Sequence, residues 1–155
     1  MADAKPSPHI LIVEARFYEA IADELVKGAV RELEKSGAAW ERIAVPGAFE
    51  IPGAIRFASE ATRTPAGKPP FHGFIGLGCV IRGETSHYDY VCGESARGLQ
   101  DLAVRRGLAI GYGILTVENE EQAWARAGLH RRDKGGDAAR ACLAMIALKR
   151  DFGLT

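Results

Sequence analysis

FHGFIGLGCVIRGETSHYDYVCGESARGLQDL, residues 71–102, holds a strand, a polar turn and a helix in direct succession. From Phe71 to Ile81 the residues are mostly apolar or glycine, with glycines at 73, 76 and 78, the pattern of a strand covered on both faces. Arg82 to His87 interrupts the run. Ser86 and Asp89 have the spacing of a capping box, in which each end of the first helical turn satisfies the other's free N–H. Beyond them Tyr88, Val91, Cys92, Ser95, Leu99 and Leu102 recur at helical spacing. A buried strand feeding an amphipathic helix is half of a strand–helix–strand crossover, the unit from which parallel sheets are built.

The same alternation continues in both directions. Toward the amino terminus, Thr62 to Pro70 (TRTPAGKPP) reads as a loop and Glu50 to Ala61 as a helix with Pro52 in its first turn. The Pro46-Gly47 turn separates that helix from a strand over Trp40 to Val45. Ile21, Leu25, Ala29 and Leu33 mark a helix that stops at Gly37. His9 to Glu14 (HILIVE) is a further buried strand, preceded by a short arm over residues 1–8. Toward the carboxyl terminus, a fourth strand runs from Leu108 to Thr116, and Asn119 and Gln122 cap a short helix that ends at Gly128. A last helix from Gly136 to Phe152 carries Ala138, Cys142, Met145 and Ile146 on one side. The order predicts a three-layer α/β/α sandwich with four parallel strands, one domain over residues 9–155.

Composition narrows the function. The 155 residues are 47% hydrophobic, with 20 basic and 20 acidic side chains, so no global field recruits nucleic acid or an acidic membrane. Cys79, Cys92 and Cys142 are an odd count without CxxC spacing, which argues against a disulfide framework or a structural zinc and for reduced thiols. No run is long enough to span a membrane and MADAKPSP has no signal-peptide core, so a cytoplasmic location is expected.

In an open parallel sheet, ligands bind beyond the carboxyl ends of the strands. The segments there are Ala15-Arg16-Phe17-Tyr18, Pro46 to Glu50, Arg82 to His87, and Val117-Glu118-Asn119, all expected at one end of the sheet. His87, near a helix start, suits proton transfer near neutral pH, or is a surface histidine in a first turn. Gly83 to Ser86 lead into that helix, where backbone N–H groups and hydroxyls can hold a phosphate or simply close a turn. Arg126 offers a planar fork of donors, or is a cation placed favourably at a helix end. Phe17 can stack on a planar ring or anchor a helix, and Glu50 can accept hydroxyl hydrogen bonds or sit in a first turn for its own sake. Cys79 lies on a strand rather than a sharp turn, which argues against a nucleophile. His9, His72 and His130 have no metal-ligand spacing.

Three stretches, VPGAFEIPGAI (45–55), GCVIRGETSHYDYVCGES (78–95) and GILTVENEEQAWARAG (113–128), resemble the signature stretches of lumazine synthases, as do EARFY (14–18) and DKGGDAA (133–139). The similarity covers residues 9–152. It implies a flavodoxin-like sandwich that condenses 5-amino-6-(D-ribitylamino)uracil with 3,4-dihydroxy-2-butanone 4-phosphate, releasing phosphate and water, in riboflavin biosynthesis. It implies two small-molecule substrates, no metal, no cofactor, and a pentamer-based homo-oligomer with each active site shared between subunits. Pentamer, paired pentamers and hollow shell all remain open.

By the same resemblance His87 transfers protons. Phe17, Ala48, Phe49, Glu50, Cys79, Val80 and Ile81 bind the ribitylaminouracil, and Tyr112 reaches in from an adjacent subunit. Glu84, Thr85, Arg126 and Lys134 bind the butanone phosphate, Glu84 through its main chain. Two positions depart from the pattern: many relatives carry phenylalanine where Tyr112 stands and lysine where His130 stands. Two rival classes are a flavin- or nucleotide-binding module without catalysis and a scaffold that kept the fold. The absence of GxGxxG after the first strand and of a P-loop counts against the former, and intact His87, Glu50 and Arg126 count against the latter.

Overall fold

In the computed structural model, which describes residues 4–61 and 70–154, four strands form one parallel sheet. Of the loop expected over 62–70, all but Pro70 lies outside the described residues, as do residues 1–3 of the arm. The strands are β1 (His9–Ala15), β2 (Ala39–Val45), β3 (Gly73–Ile81) and β4 (Ala109–Val117), in the spatial order β2-β1-β3-β4. Five helices connect and follow them: α1 (Glu19–Ser36), α2 (Ile51–Glu60), α3 (His87–Arg106), α4 (Glu120–Ala127) and α5 (Lys134–Asp151).

The period of two along each strand sorts the core into two layers. Ile10 and Ile12 of β1, Ile75 and Leu77 of β3 and Leu115 of β4 pack with Leu25 and Leu33 of α1, Ala123 of α4, and Ala138 and Cys142 of α5. Leu11 and Val13, Phe74 and Ile114 point the other way, against Ile51 and Ile55 of α2 and Leu99 and Leu102 of α3. A sheet sandwiched in this way is the three-layer architecture expected. β2 is an edge strand and is largely exposed or half-buried, unlike β1.

Helix ends follow local chemistry, with two corrections to the sequence reading. Gly37 ends α1 at φ 77°, a left-handed position that favours glycine, and its N–H bonds back to the carbonyls of Glu34 and Leu33. Asn119 caps α4 by accepting the Gln122 N–H at 2.9 Å, while the Gln122 side chain accepts the Glu118 N–H at 2.8 Å. The capping box at Ser86 and Asp89 does not form. Ser86 has helical torsions and makes no capping bond, and Thr85 Oγ1 instead accepts the His87 N–H at 3.3 Å. The last helix begins at Lys134, ahead of Gly136, because Asp133 caps it, accepting the Gly136 N–H at 3.2 Å. Gly135 is therefore inside the first turn, where it lets α5 close on α1: a Cβ there would lie 2.0 Å from the Leu25 carbonyl oxygen. Met145, placed on one side of α5 with Cys142 and Ile146, is exposed while those two are buried, and it lines the groove beside β4.

Two polar features inside the sheet were not legible as such. Glu14, the last residue of the apolar-looking HILIVE run, is buried, and the Arg42 guanidinium donates to both its oxygens at 2.8 and 2.9 Å, with Arg16 as a further partner. At the opposite end, β3 starts at Gly73 rather than Phe71. The two preceding residues are engaged with β1: His72 Nδ1 accepts the His9 N–H at 2.9 Å, and the Phe71 ring packs 4.6 Å from the His9 ring.

Candidate functional site

β1, β2 and β3 each end in a segment that turns over the top of the sheet, and together these segments enclose a hollow of about 480 Å³. Phe17 and Tyr18 come from the turn after β1, just before α1 begins. Gly47, Ala48, Phe49 and Glu50 come from a 3₁₀ turn that leads into α2. Cys79, Val80 and Ile81 form the floor as the last residues of β3, and Thr85, His87, Tyr88 and Val91 close the wall where α3 starts. Phe17 is 73% exposed and Phe49 56%, so two aromatic faces stand open to anything that enters. Flat apolar faces, an acceptor carboxylate, main-chain groups at a strand end and a histidine beside a helix N-terminus suit a planar heterocycle with a hydroxylated tail.

Nine of the expected residues meet here, namely Phe17, Ala48, Phe49, Glu50, Cys79, Val80, Ile81, Thr85 and His87. Glu84 is exposed and contributes no lining. Tyr18 and Tyr88 also line the hollow but were not singled out from the sequence, although each directly follows a residue that was. Burial raises the phenol pKa of both. Burial likewise pushes the Cys79 thiol up to about 12, the opposite of what a nucleophilic thiolate requires.

The remaining three expected residues do not join them. Tyr112, Arg126 and Lys134 line a separate hollow of about 250 Å³ along β4, whose outer edge pairs with no strand among the described residues. Within one chain, therefore, the expected residues divide between two places. α4 runs back from the carboxyl end of β4, so Arg126, near its last turn, is carried down beside the strand. The Arg126 guanidinium donates to the Gln122 carbonyl at 3.0 Å, and Lys134 Nζ is 3.2 Å from Asp137 Oδ2. Each contact occupies only part of the donor set, leaving N–H groups for an anion. Tyr112 also borders an apolar groove with Leu99, Val104, Leu108, Ile110 and Met145, and burial raises its phenol pKa.

Comparison with known proteins gives one family. The model of the 6,7-dimethyl-8-ribityllumazine synthase family matches residues 7–150. A protein of Bartonella tribocorum named 6,7-dimethyl-8-ribityllumazine synthase is 56% identical over 153 residues, covering 99% of this chain and 97% of the relative. One of Bartonella bacilliformis with the same name is 57% identical over 147 residues, covering 95% and 93%. A protein of Rhizobium meliloti named 6,7-dimethyl-8-ribityllumazine synthase 1 is 56% identical over 153 residues, covering 99% and 98%.

Proposed function

The chain belongs to the 6,7-dimethyl-8-ribityllumazine synthase family, and from that premise we propose how its residues condense 5-amino-6-(D-ribitylamino)uracil with 3,4-dihydroxy-2-butanone 4-phosphate. The observation that carries the reading is the hollow over β1, β2 and β3, whose aromatic, carboxylate and histidine lining fits a pyrimidine with a polyol chain. Phe17 stacks on the pyrimidine, Cys79, Val80 and Ile81 meet its edge through their main chain, and the turn at Ala48 and Phe49 guides the ribityl chain to Glu50. Thr85 and the main chain of Glu84 hold the phosphate at the start of α3, where free N–H groups favour an anion.

Both reacting groups arrive on the substrates. The 5-amino group attacks the ketone and expels water to give an imine. Loss of the C3 proton and the C4 phosphate leaves an enol, which tautomerises to a C3 carbonyl and a C4 methyl. The ribityl-bearing nitrogen then closes the ring on that carbonyl with loss of another water. No covalent bond to the protein and no cofactor is needed. Holding the two molecules in register can supply about 7–11 kcal/mol of the barrier, and proton transfer by His87 about 10²–10⁴-fold in rate.

The phosphate also needs Arg126 and Lys134, which on one chain stand in the other hollow. We propose that a second subunit delivers them, together with Tyr112, so that each site lies between neighbours in a pentamer-based homo-oligomer. Three features support this: the unpaired edge of β4, the 45% exposure of Tyr112 on it, and the apolar groove alongside. On this reading residues 9–155 act as one catalytic unit behind a short arm, in the cytoplasm. The test is to mix purified protein with both substrates and follow lumazine fluorescence and phosphate release. Riboflavin binding without product would instead favour a flavin-binding module.

A further inference from the structure

The first turn of α3 presents His87 and Tyr88 to the hollow, yet its own end is loosely fixed. Ser86 gives no capping bond, and Thr85 Oγ1 makes only a 3.3 Å contact with the His87 N–H. Alongside a side-chain hydrogen bond between Tyr88 and Thr116 of β4, Arg82 ties this turn to the sheet. Its backbone N–H bonds to the Val117 carbonyl at 2.9 Å, anchoring it to the end of β4. Its guanidinium lies 4.3 Å from the centre of the Tyr88 ring, within cation–π range. Nε donates to Glu118 Oε2 at 2.7 Å, and Nη1 reaches Asp89 Oδ1 at 3.5 Å. Glu118 is in turn held by the Gln122 side chain, which accepts its N–H at 2.8 Å. One side chain thus bridges the ends of β3 and β4 and two residues flanking the face of α3 that carries His87. It lines neither hollow itself.

We infer that Arg82 is a positioning residue for the condensation, holding the first turn of α3 so that His87 and the Tyr88 ring keep their places against the bound substrates. The inference rests on reading this hollow as the reaction site. Misplacing a reacting group by about an ångström can cost up to about 10²-fold, so loosening this turn should act on turnover more than on binding.

The test compares Arg82→Met and Arg82→Lys in the full-length protein. Arg82→Met keeps an unbranched apolar stem as far as the position of Nε and removes the charge and the donors. It should lower kcat about tenfold and leave KM for each substrate within about twofold. Arg82 is exposed, so Tm should stay within about 2 °C. Arg82→Lys keeps a cation over the ring but loses the fork, and should recover most of the loss. Glu118→Gln added to Arg82→Met should cost little more, because the pair acts as a unit. A wild-type kcat in Arg82→Met would overturn the inference. So would a loss confined to KM for the phosphorylated substrate, which would make Arg82 a phosphate contact. A fall in Tm that tracks the loss, without rescue by lysine, would also overturn it and leave a structural role. Wild-type protein assayed alongside separates the two levels. If it forms no lumazine, the reaction assignment fails and Arg82's role with it, whereas an active wild type with an indifferent Arg82→Met overturns only the latter.

Discussion

If each site takes His87 from one subunit and Arg126 from the next, two inactive variants should repair each other. His87→Ala removes proton transfer worth about 10²–10⁴-fold. Arg126→Ala removes charge-assisted hydrogen bonds to phosphate worth about 1.5–3 kcal/mol, or about 10–10²-fold in kcat/KM. Either variant alone should therefore retain at most about a tenth of wild-type activity. The two side chains line separate hollows on the chain, so each mutation leaves the other half of a site intact. In a closed ring of randomly mixed subunits, a site is whole when an Arg126→Ala chain supplies the histidine and a His87→Ala chain the arginine. With equal amounts this happens at about one interface in four, whatever the number of subunits in the ring. Co-expressing the variants with different tags, purifying assemblies that carry both, and measuring lumazine formation per subunit should give about a quarter of wild-type activity. Activity no higher than the average of the two variants alone would refute the shared site and place both side chains in one chain's own pocket.

Three further outcomes follow from the structure. Cys79, with its thiol pushed up to about 12 by burial, should resist iodoacetamide at pH 7.5, and Cys79→Ser should keep kcat within about threefold; a loss near 10³-fold would make it a nucleophile after all. Gly135→Ala drives a methyl to 2.0 Å from the Leu25 carbonyl oxygen, and such overpacking costs about 1–3 kcal/mol, so Tm should fall by roughly 2–12 °C, read by calorimetry against wild type. Burial, aided by nearby Arg150, His9 and Lys149, holds the His72 imidazole below its ordinary pKa of 6.5. The unfolded chain therefore binds a proton there first as pH falls, so this contribution to stability is complete above 6.5 and declines below it toward the folded value. His72→Gln, which can still accept the His9 N–H, should lose less stability than wild type between pH 7.5 and 5.5 in urea titrations.

The layers were legible because each strand carries its own evidence. Ile10 to Val13 and the run to Ile81 are apolar or glycine at consecutive positions over strand-like lengths, the pattern of a strand covered on both sides, and α1 announces its end at Gly37. What escaped was tertiary. Glu14 reads as the polar end of a strand until Arg42, twenty-eight residues on, is seen to fork onto it. Gly135 and Gly136 look like a helix boundary because glycine usually marks one. Here they are the first turn itself: Gly135 lets α5 close on α1, and a Cβ at Gly136 would strike the Asp133 carboxylate that caps the helix, the first of these a reason no local pattern contains. Ser86 and Asp89 satisfy the spacing of a capping box, but the torsions at Ser86 are already helical, so its hydroxyl is not placed to cap.

The site divides along the same line. Residues that follow β1, β2 and β3 could be gathered from sequence because parallel topology brings strand ends together whatever the side chains are. Arg126 and Lys134 cannot be gathered that way. They belong to α4 and α5, which pack on one face of the sheet beside β4, and their separation from His87 within a chain is a property of that path. A phosphate-binding arginine placed there acts only if something brings the edge of β4 to the carboxyl end of another sheet. On the proposed shared site, assembly and catalysis are tied together. Dilution or interface mutation, for instance a charge introduced at Ile110 or Leu108 in the groove, should remove activity together with the oligomer while leaving the far-UV spectrum of the chain unchanged. Sedimentation and lumazine formation measured on the same samples should fall in parallel, and a fully active monomer would break the link.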